Sequence, residues 1–117
     1  MCYIHNNMVI CAEENVSLVF RAISDPIRRA ILSLLAGDGH SVQEITALFS
    51  ISQPAVTRHL NVLERAGLVS RRKDGRFRYC TLTPGSLDGV QAWLDQTRSR
   101  WEEGMFAFEE MNYSEQE

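Results

Sequence analysis

Ser41-Val42-Gln43-Glu44-Ile45-Thr46-Ala47-Leu48-Phe49-Ser50-Ile51-Ser52-Gln53-Pro54-Ala55-Val56-Thr57-Arg58-His59-Leu60-Asn61-Val62-Leu63-Glu64-Arg65-Ala66-Gly67 is the stretch that decides the fold. Ser41 with Glu44 three residues on is a capping box, in which the hydroxyl takes an orphan backbone N–H and the carboxylate reaches back to the cap. Val42, Ile45 and Leu48 give the short helix that follows an apolar face. Ser50 and Ile51 form a tight turn. Ser52 then caps a second helix, with Pro54 in its first turn, where a missing N–H costs nothing. Val56, Leu60 and Leu63 share one side of that helix at i, i+4 and i+7. Gly67 supplies the left-handed stop. Two helices on so short a turn make a helix-turn-helix.

Upstream, Leu18, Val19, Ala22 and Ile23 recur at helical spacing and predict a helix over about 15–23, capped by Asn15. Ser24-Asp25-Pro26 stops it and starts another over about 26–36, whose core face is Ile27, Ala30, Ile31 and Leu34, with Arg28 and Arg29 turned away. Residues 1–14 have no clear period and read as an arm or a short helix. Downstream, two extended runs flank Asp74-Gly75, a hairpin signal, and Pro84 closes the ribbon. A long helix follows over about 86–111, with Leu87, Val90, Leu94, Trp101, Met105 and Phe108 at three-and-four spacing and Trp93 beside them; the last six residues fray. The fold class is mainly α with a small β-hairpin, a winged helix-turn-helix. It divides into an arm (1–14), the winged domain (15–84), a C-terminal helix (85–111) and an acidic tail (112–117).

The 117 residues suit one domain with an extra helix. No apolar run approaches a membrane span, and the start has no basic region followed by an apolar stretch, so the expected compartment is the cytoplasm. Three widely spaced cysteines, Cys2, Cys11 and Cys80, make no disulfide framework. The net charge of −3 argues at first against nucleic acid, but its distribution reverses that. Between positions 58 and 78 lie seven bases (Arg58, Arg65, Arg71, Arg72, Lys73, Arg76 and Arg78) against Glu64 and Asp74, a local charge of +5. From 101 onward there are six acids and no Lys or Arg. A basic face beside an acidic end creates a field that the total hides.

The helix opening at Ser52 presents Gln53, Thr57, Arg58 and Asn61 opposite its apolar side. Gln pairs with adenine and Arg with guanine in bidentate fashion, while the Thr57 methyl or Ala55 suits a thymine methyl. In a helix-turn-helix such N-terminal residues of the second helix enter the major groove of double-stranded DNA. Arg71, Arg72, Lys73, Arg76 and Arg78 on the ribbon are phosphate ligands, which position a protein without reading sequence. No Gly-rich phosphate loop, triad or carboxylate pair points to an enzyme.

Ala22-Ile23-Ser24-Asp25-Pro26-Ile27-Arg28-Arg29-Ala30-Ile31-Leu32 resembles the second-helix signature of the ArsR/SmtB family of repressors. Ser52-Gln53-Pro54-Ala55-Val56-Thr57-Arg58-His59-Leu60 with Leu63-Glu64-Arg65-Ala66-Gly67-Leu68-Val69 resembles its recognition helix, and Arg72-Lys73-Asp74-Gly75-Arg76 with Tyr79 its wing. The resemblance spans about residues 16–103. It implies a homodimeric, often autoregulating repressor on an inverted-repeat operator, in many members released by an effector. It also implies dimerisation through the first and last helices, a role that fits Leu18, Leu87, Val90, Trp93, Leu94, Trp101 and Met105. The sequence departs from the family at its metal sites. The Cys-x-Cys-x-x-Cys of the third helix falls on Ser41, Gln43 and Thr46, and the last helix has no His. The chain therefore resembles the branch without these ligands, with no cofactor and an unknown small effector.

Two other readings stand beside repression. Cys2, His5, Cys11 and Cys80 carry soft donors suited to arsenite, zinc or copper, which would make a thiol-responsive repressor; for Cys80 a small buried hydrophobe is the competing role. A winged helix used for protein contact would suit the acidic end. His59 fits either a phosphate contact or packing at the helix margin, and His40 precedes the Ser41 cap at the surface. Phe77 and Tyr79 either face DNA or pack on the hairpin.

Overall fold

A computed structural model describes the backbone of residues 2–5, 8–11 and 14–115 and the side chains of residues 15–105. Its elements run β1 (Cys2–His5), β2 (Met8–Cys11), α1 (Glu14–Ile23), α2 (Pro26–Leu35), β3 (His40–Ser41), α3 (Val42–Phe49), α4 (Gln53–Arg65), β4 (Val69–Asp74), β5 (Phe77–Leu82) and α5 (Asp88–Glu115). The chain divides into two compact units, residues 1–87 and 88–117.

In the first unit, α1 packs on α2 and α4, α2 on α4, and α3 on α4. Their shared core is Val19, Ala22, Ile31, Leu35, Val42, Ile45, Val56, Leu60 and Leu63, completed by Leu68 just ahead of β4 and by Val69 and Cys80 from the sheet. The apolar stripe of α4 is therefore the centre of the domain. Burying a Val or Leu side chain is worth about 1.5–3 kcal/mol, so the three fully buried residues Val56, Leu60 and Leu63 fix which side of α4 is left outward. Arg28 and Arg29 turn from the α2 core face and close the end of α1. Arg28 Nε donates to the Ala22 carbonyl (2.7 Å) and Arg28 Nη2 to that of Arg21 (3.0 Å), while Arg29 Nη1 donates to that of Ile23 (2.8 Å). These groups lack intrahelical partners at a helix end, and cations there complement its dipole.

Several expectations change. Residues 2–5 and 8–11 pair as antiparallel strands, where an arm or a short helix was expected, with Cys2 opposite Cys11, Tyr3 opposite Ile10, Ile4 opposite Val9 and His5 opposite Met8. The aromatic and β-branched residues Tyr3, Ile4, Val9 and Ile10 on either side of Asn6-Asn7 were their signal. The first helix begins at Glu14, which places Asn15 inside it. In α2 the buried residues are Ile31 and Leu35, with Ile27 and Leu34 half-buried and Ala30 exposed. The stripe follows i, i+4, i+8 from Ile27, and Ala30 lies about 100° round from Ile31. Leu48 is 62 % exposed; it sits about 60° outside the arc that runs from Ile45 to Phe49. The wing gains a third strand, with order β3-β5-β4, because His40 and Ser41 pair with Cys80 and Tyr79. A two-residue strand has no readable period.

The second unit is α5, 28 residues long. It reaches Glu115, past the expected end at Met111; helical pattern and helix length part where apolar residues give out. Leu87, just ahead of it, and Trp93, Leu94, Trp101 and Met105 on it are exposed by 43–69 %, whereas Val90 is buried at 5 %. The side chain of Phe108 lies outside the described residues.

Candidate nucleic-acid interface

The turn between α3 and α4 is built residue by residue. Ser41 Oγ accepts the Glu44 amide (3.1 Å) to start α3. Ser50 closes α3 in the left-handed region at φ 53°, where a short polar side chain is better tolerated than a bulky one. Ser52 Oγ accepts the Ala55 amide (3.3 Å), with Pro54 in the first turn. The far end of α4 is a Schellman motif: Gly67 at φ 77° donates to the Glu64 carbonyl (2.9 Å) and the Leu68 amide to that of Leu63 (3.0 Å). Both ends of α4 are thus pinned, and its outward side is held rigidly.

That side carries Ser52, Gln53, Arg58 and Asn61 in the open, with Ala55 and Thr57 half-buried between them and the core. His59 is not outward. Its Nδ1 lies 3.3 Å from Arg28 Nη1 and 4.0 Å from Asp25 Oδ2, so it joins α4 to the start of α2. Asp25 is the cap of α2, and the Arg28 amide that donates to it (3.0 Å) holds its carboxyl below the ordinary 3.8.

The wing turns one residue later than Asp74-Gly75 suggests. Asp74 pairs with Phe77, which leaves Gly75 and Arg76 as the loop. Gly75 has φ 62°, and Gly in the first loop position is the demand of a type II′ hairpin. Register then decides which face each cation shares. Arg71 pairs with Cys80 and Lys73 with Arg78, on one face; Arg72 pairs with Tyr79 on the other. Arg71 reaches back to α4, where Nε donates to Glu64 Oε2 and Nη2 to Asn61 Oδ1 (2.6 Å). Lys73 and Arg78 lie on that same face. Like charges directly opposite each other destabilise a sheet, and an anion between them would reverse the sign. A cleft of about 300 Å³ here is lined by Glu64, Arg71, Arg72, Lys73 and Arg78.

The described structure thus brings the sequence-predicted residues of α4 and one face of the wing together, with Arg71 as the link. Arg72 stands on the opposite wing face and Arg76 at the tip. The Arg71 bonds to Asn61 and Glu64 join residues ten and seven positions apart in sequence, and only the pairing register could have announced them. Phe77 is 54 % exposed on the wing. Tyr79 lies over Gly39, where a Cβ would collide with its ring and come within 2.9 Å of Thr81 Cγ2. Cys80 is fully buried, and burial pushes its thiol up. Among the described residues no cluster of three His, Cys, Asp or Glu is placed to hold a metal; the side chains of Cys2, His5 and Cys11 lie outside them. No helix among the described residues is long and apolar enough to cross a membrane.

Comparison with known proteins agrees with this architecture. A protein-family profile described as "Helix-turn-helix domain" matches residues 23–72. The transcriptional repressor SdpR of Bacillus subtilis is 41 % identical over 76 residues, 65 % of this chain and 84 % of SdpR. The arsenic resistance transcriptional regulator ArsR1 of Pseudomonas putida is 33 % identical over 89 residues, 66 % of this chain and 70 % of that protein. The solved structure of an ArsR-like transcriptional regulator from Rhodococcus sp. RHA1 superposes with a TM-score of 0.76 at 28 % identity, covering 86 % of this chain and 93 % of its own. A capped second helix, a basic wing tied to it, and transcriptional regulators that match in sequence and in fold leave one assignment: the chain belongs to the ArsR/SmtB family of DNA-binding helix-turn-helix transcriptional regulators.

Proposed function

We propose that this repressor acts in the cytoplasm as a homodimer on an inverted-repeat operator, with α4 of each protomer in a major groove and each wing on the neighbouring backbone. The observation that carries this is the exposed row Gln53, Arg58 and Asn61 on a helix pinned at both ends, beside a wing face bearing Lys73 and Arg78. Side-chain types suited to base edges thus stand on the helix that the wing cations adjoin, the division of labour that DNA binding asks for. The exposed Leu87, Leu94, Trp101 and Met105 support pairing through the terminal helices, and on α1 Leu18 is half-buried, with surface left for a partner. Val90, being buried, has little surface left for a partner. The test is binding to the DNA upstream of its own gene, with sedimentation to give the stoichiometry. Two protomers on an inverted repeat, its half-sites about one helical turn apart, are expected. Equal affinity for that DNA and for random duplex at moderate salt refutes the proposal.

A second reading is favoured by one observation, the register that sets Cys2 opposite Cys11. Cross-strand neighbours lie about 4.5–5.5 Å apart at Cα, a separation two thiolates need to share a soft ion. ArsR1, named for arsenic resistance, lends the idea chemistry. Cys80 is left out of that set by its burial. Replacing Cys2 and Cys11 by Ser is expected to abolish DNA release by arsenite or zinc while sparing DNA binding. An unchanged response refutes this reading.

A further inference from the structure

We infer that Arg71 is a positioning residue that fixes the amide of Asn61, so that Asn61 reads the DNA as a donor and selects guanine. The inference rests on the DNA-binding reading and goes beyond it. Arginine has only donors, so the Asn61 atom that meets Arg71 Nη2 at 2.6 Å is its oxygen. Glu64 takes the Nε of the same guanidinium and orients it. The Arg71 side chain is 16 % exposed, against 44 % for Glu64, so the guanidinium is the sheltered member of the group. Two bonds at fixed angles from one planar guanidinium hold the Asn61 amide in one of its two flips.

The consequence is chemical. A free Asn pairs with adenine by accepting from N6 and donating to N7. Here the oxygen is already engaged by a cationic donor. A base that brings another donor to it, as adenine does, meets competition. Guanine brings two acceptors, O6 and N7, to the same edge, and the exposed NH2 group of Asn61 can serve both. The wing thereby sets what the recognition helix can read, without touching a base itself.

The test is selection from a random duplex pool by the full-length wild type, by Asn61→Asp and by Arg71→Ala. Asn61→Asp keeps an acceptor for Arg71 and replaces the NH2 group by an anionic oxygen, which cannot donate and lowers overall affinity for duplex as well. The wild type is expected to prefer guanine at one position per half-site by about fivefold or more, the worth of one good base contact. Asn61→Asp is expected to lose that preference with the rest of the motif intact, and Arg71→Ala to move it toward adenine. Arg71→Lys, which retains a donor, is expected to keep guanine in part. A motif that all variants leave unchanged overturns the inference, as does adenine in the wild type at the position that Asn61→Asp relaxes. Weakening by Arg71→Ala that is uniform on every sequence, with the motif unchanged, assigns Arg71 to phosphate and overturns it as well. A wild type that enriches no motif removes the operator-binding reading itself, a failure distinct from the others.

Discussion

Asp25 meets two parts of the domain: Arg28 of its own helix, through the amide and the charge of the guanidinium, and His59 on α4. Its carboxyl titrates below the ordinary 3.8, first because the Arg28 amide donates to it. A depressed acid stabilises the fold above its unfolded value and loses that contribution as pH falls through the folded one. Thermal melts of Asp25→Ala are therefore expected to lie below wild type at neutral pH, with the gap closing as pH drops below about 3.8. Cys80 shows the opposite case. Burial raises its thiol and hides it from solvent, and only a thiolate reacts. In a protein whose Cys2 and Cys11 are Ser, a thiol reagent at pH 8 is expected to label nothing until denaturant is added; prompt labelling of the native protein would show the core to be open there. Both roles were half-legible. Asp25 before Pro26 announces a helix start, but His59 is thirty-four positions away, and no local pattern pairs them.

At the scale of elements, the helices were legible because caps and stops are local chemistry: Ser41, Ser52 and Gly67 each act within a few residues of themselves. The wing was legible as a ribbon but not in its register, since Asp74-Gly75 and Gly75-Arg76 are both acceptable turns and the cross-strand pairs decide between them. That single step sorts Lys73 and Arg78 onto one face and Arg72 onto the other. Because Lys73 and Arg78 are opposed like charges, Lys73→Ala is expected to raise stability by about 0.2–1 kcal/mol. The same change is expected to weaken DNA binding on all sequences alike and to lower the salt slope by about one per protomer. Parallel losses in melting temperature and in binding would show that the pair is not held in repulsion.

For the whole molecule, a net charge of −3 coexists with a concentrated cationic surface. Affinity for duplex is then expected to depend on salt far more steeply than the total charge suggests. With Arg71 engaged by Glu64 and Asn61, and Arg58 assigned to bases, four cations per protomer remain for phosphate: Arg72, Lys73, Arg76 and Arg78. At roughly −0.9 per phosphate, eight contacts in a dimer give a slope of log K on log salt of about −7; a slope near −4 would mean that one protomer, or half the wing, carries the contact. The fold was therefore readable from the sequence, while the network that joins helix to wing needed three dimensions.

The strand order β3-β5-β4 has one more consequence. It leaves β4 on the rim of the sheet, with unpaired backbone groups along its outer side, a template on which another chain can add itself. Arg72 and Lys73 are the exposed cations that β4 carries there. Charge on a rim strand keeps molecules from stacking edge to edge, so the cations that would hold DNA also keep the protein from polymerising in its absence. Variants stripped of them to study operator affinity are open to insolubility, for a reason unrelated to DNA.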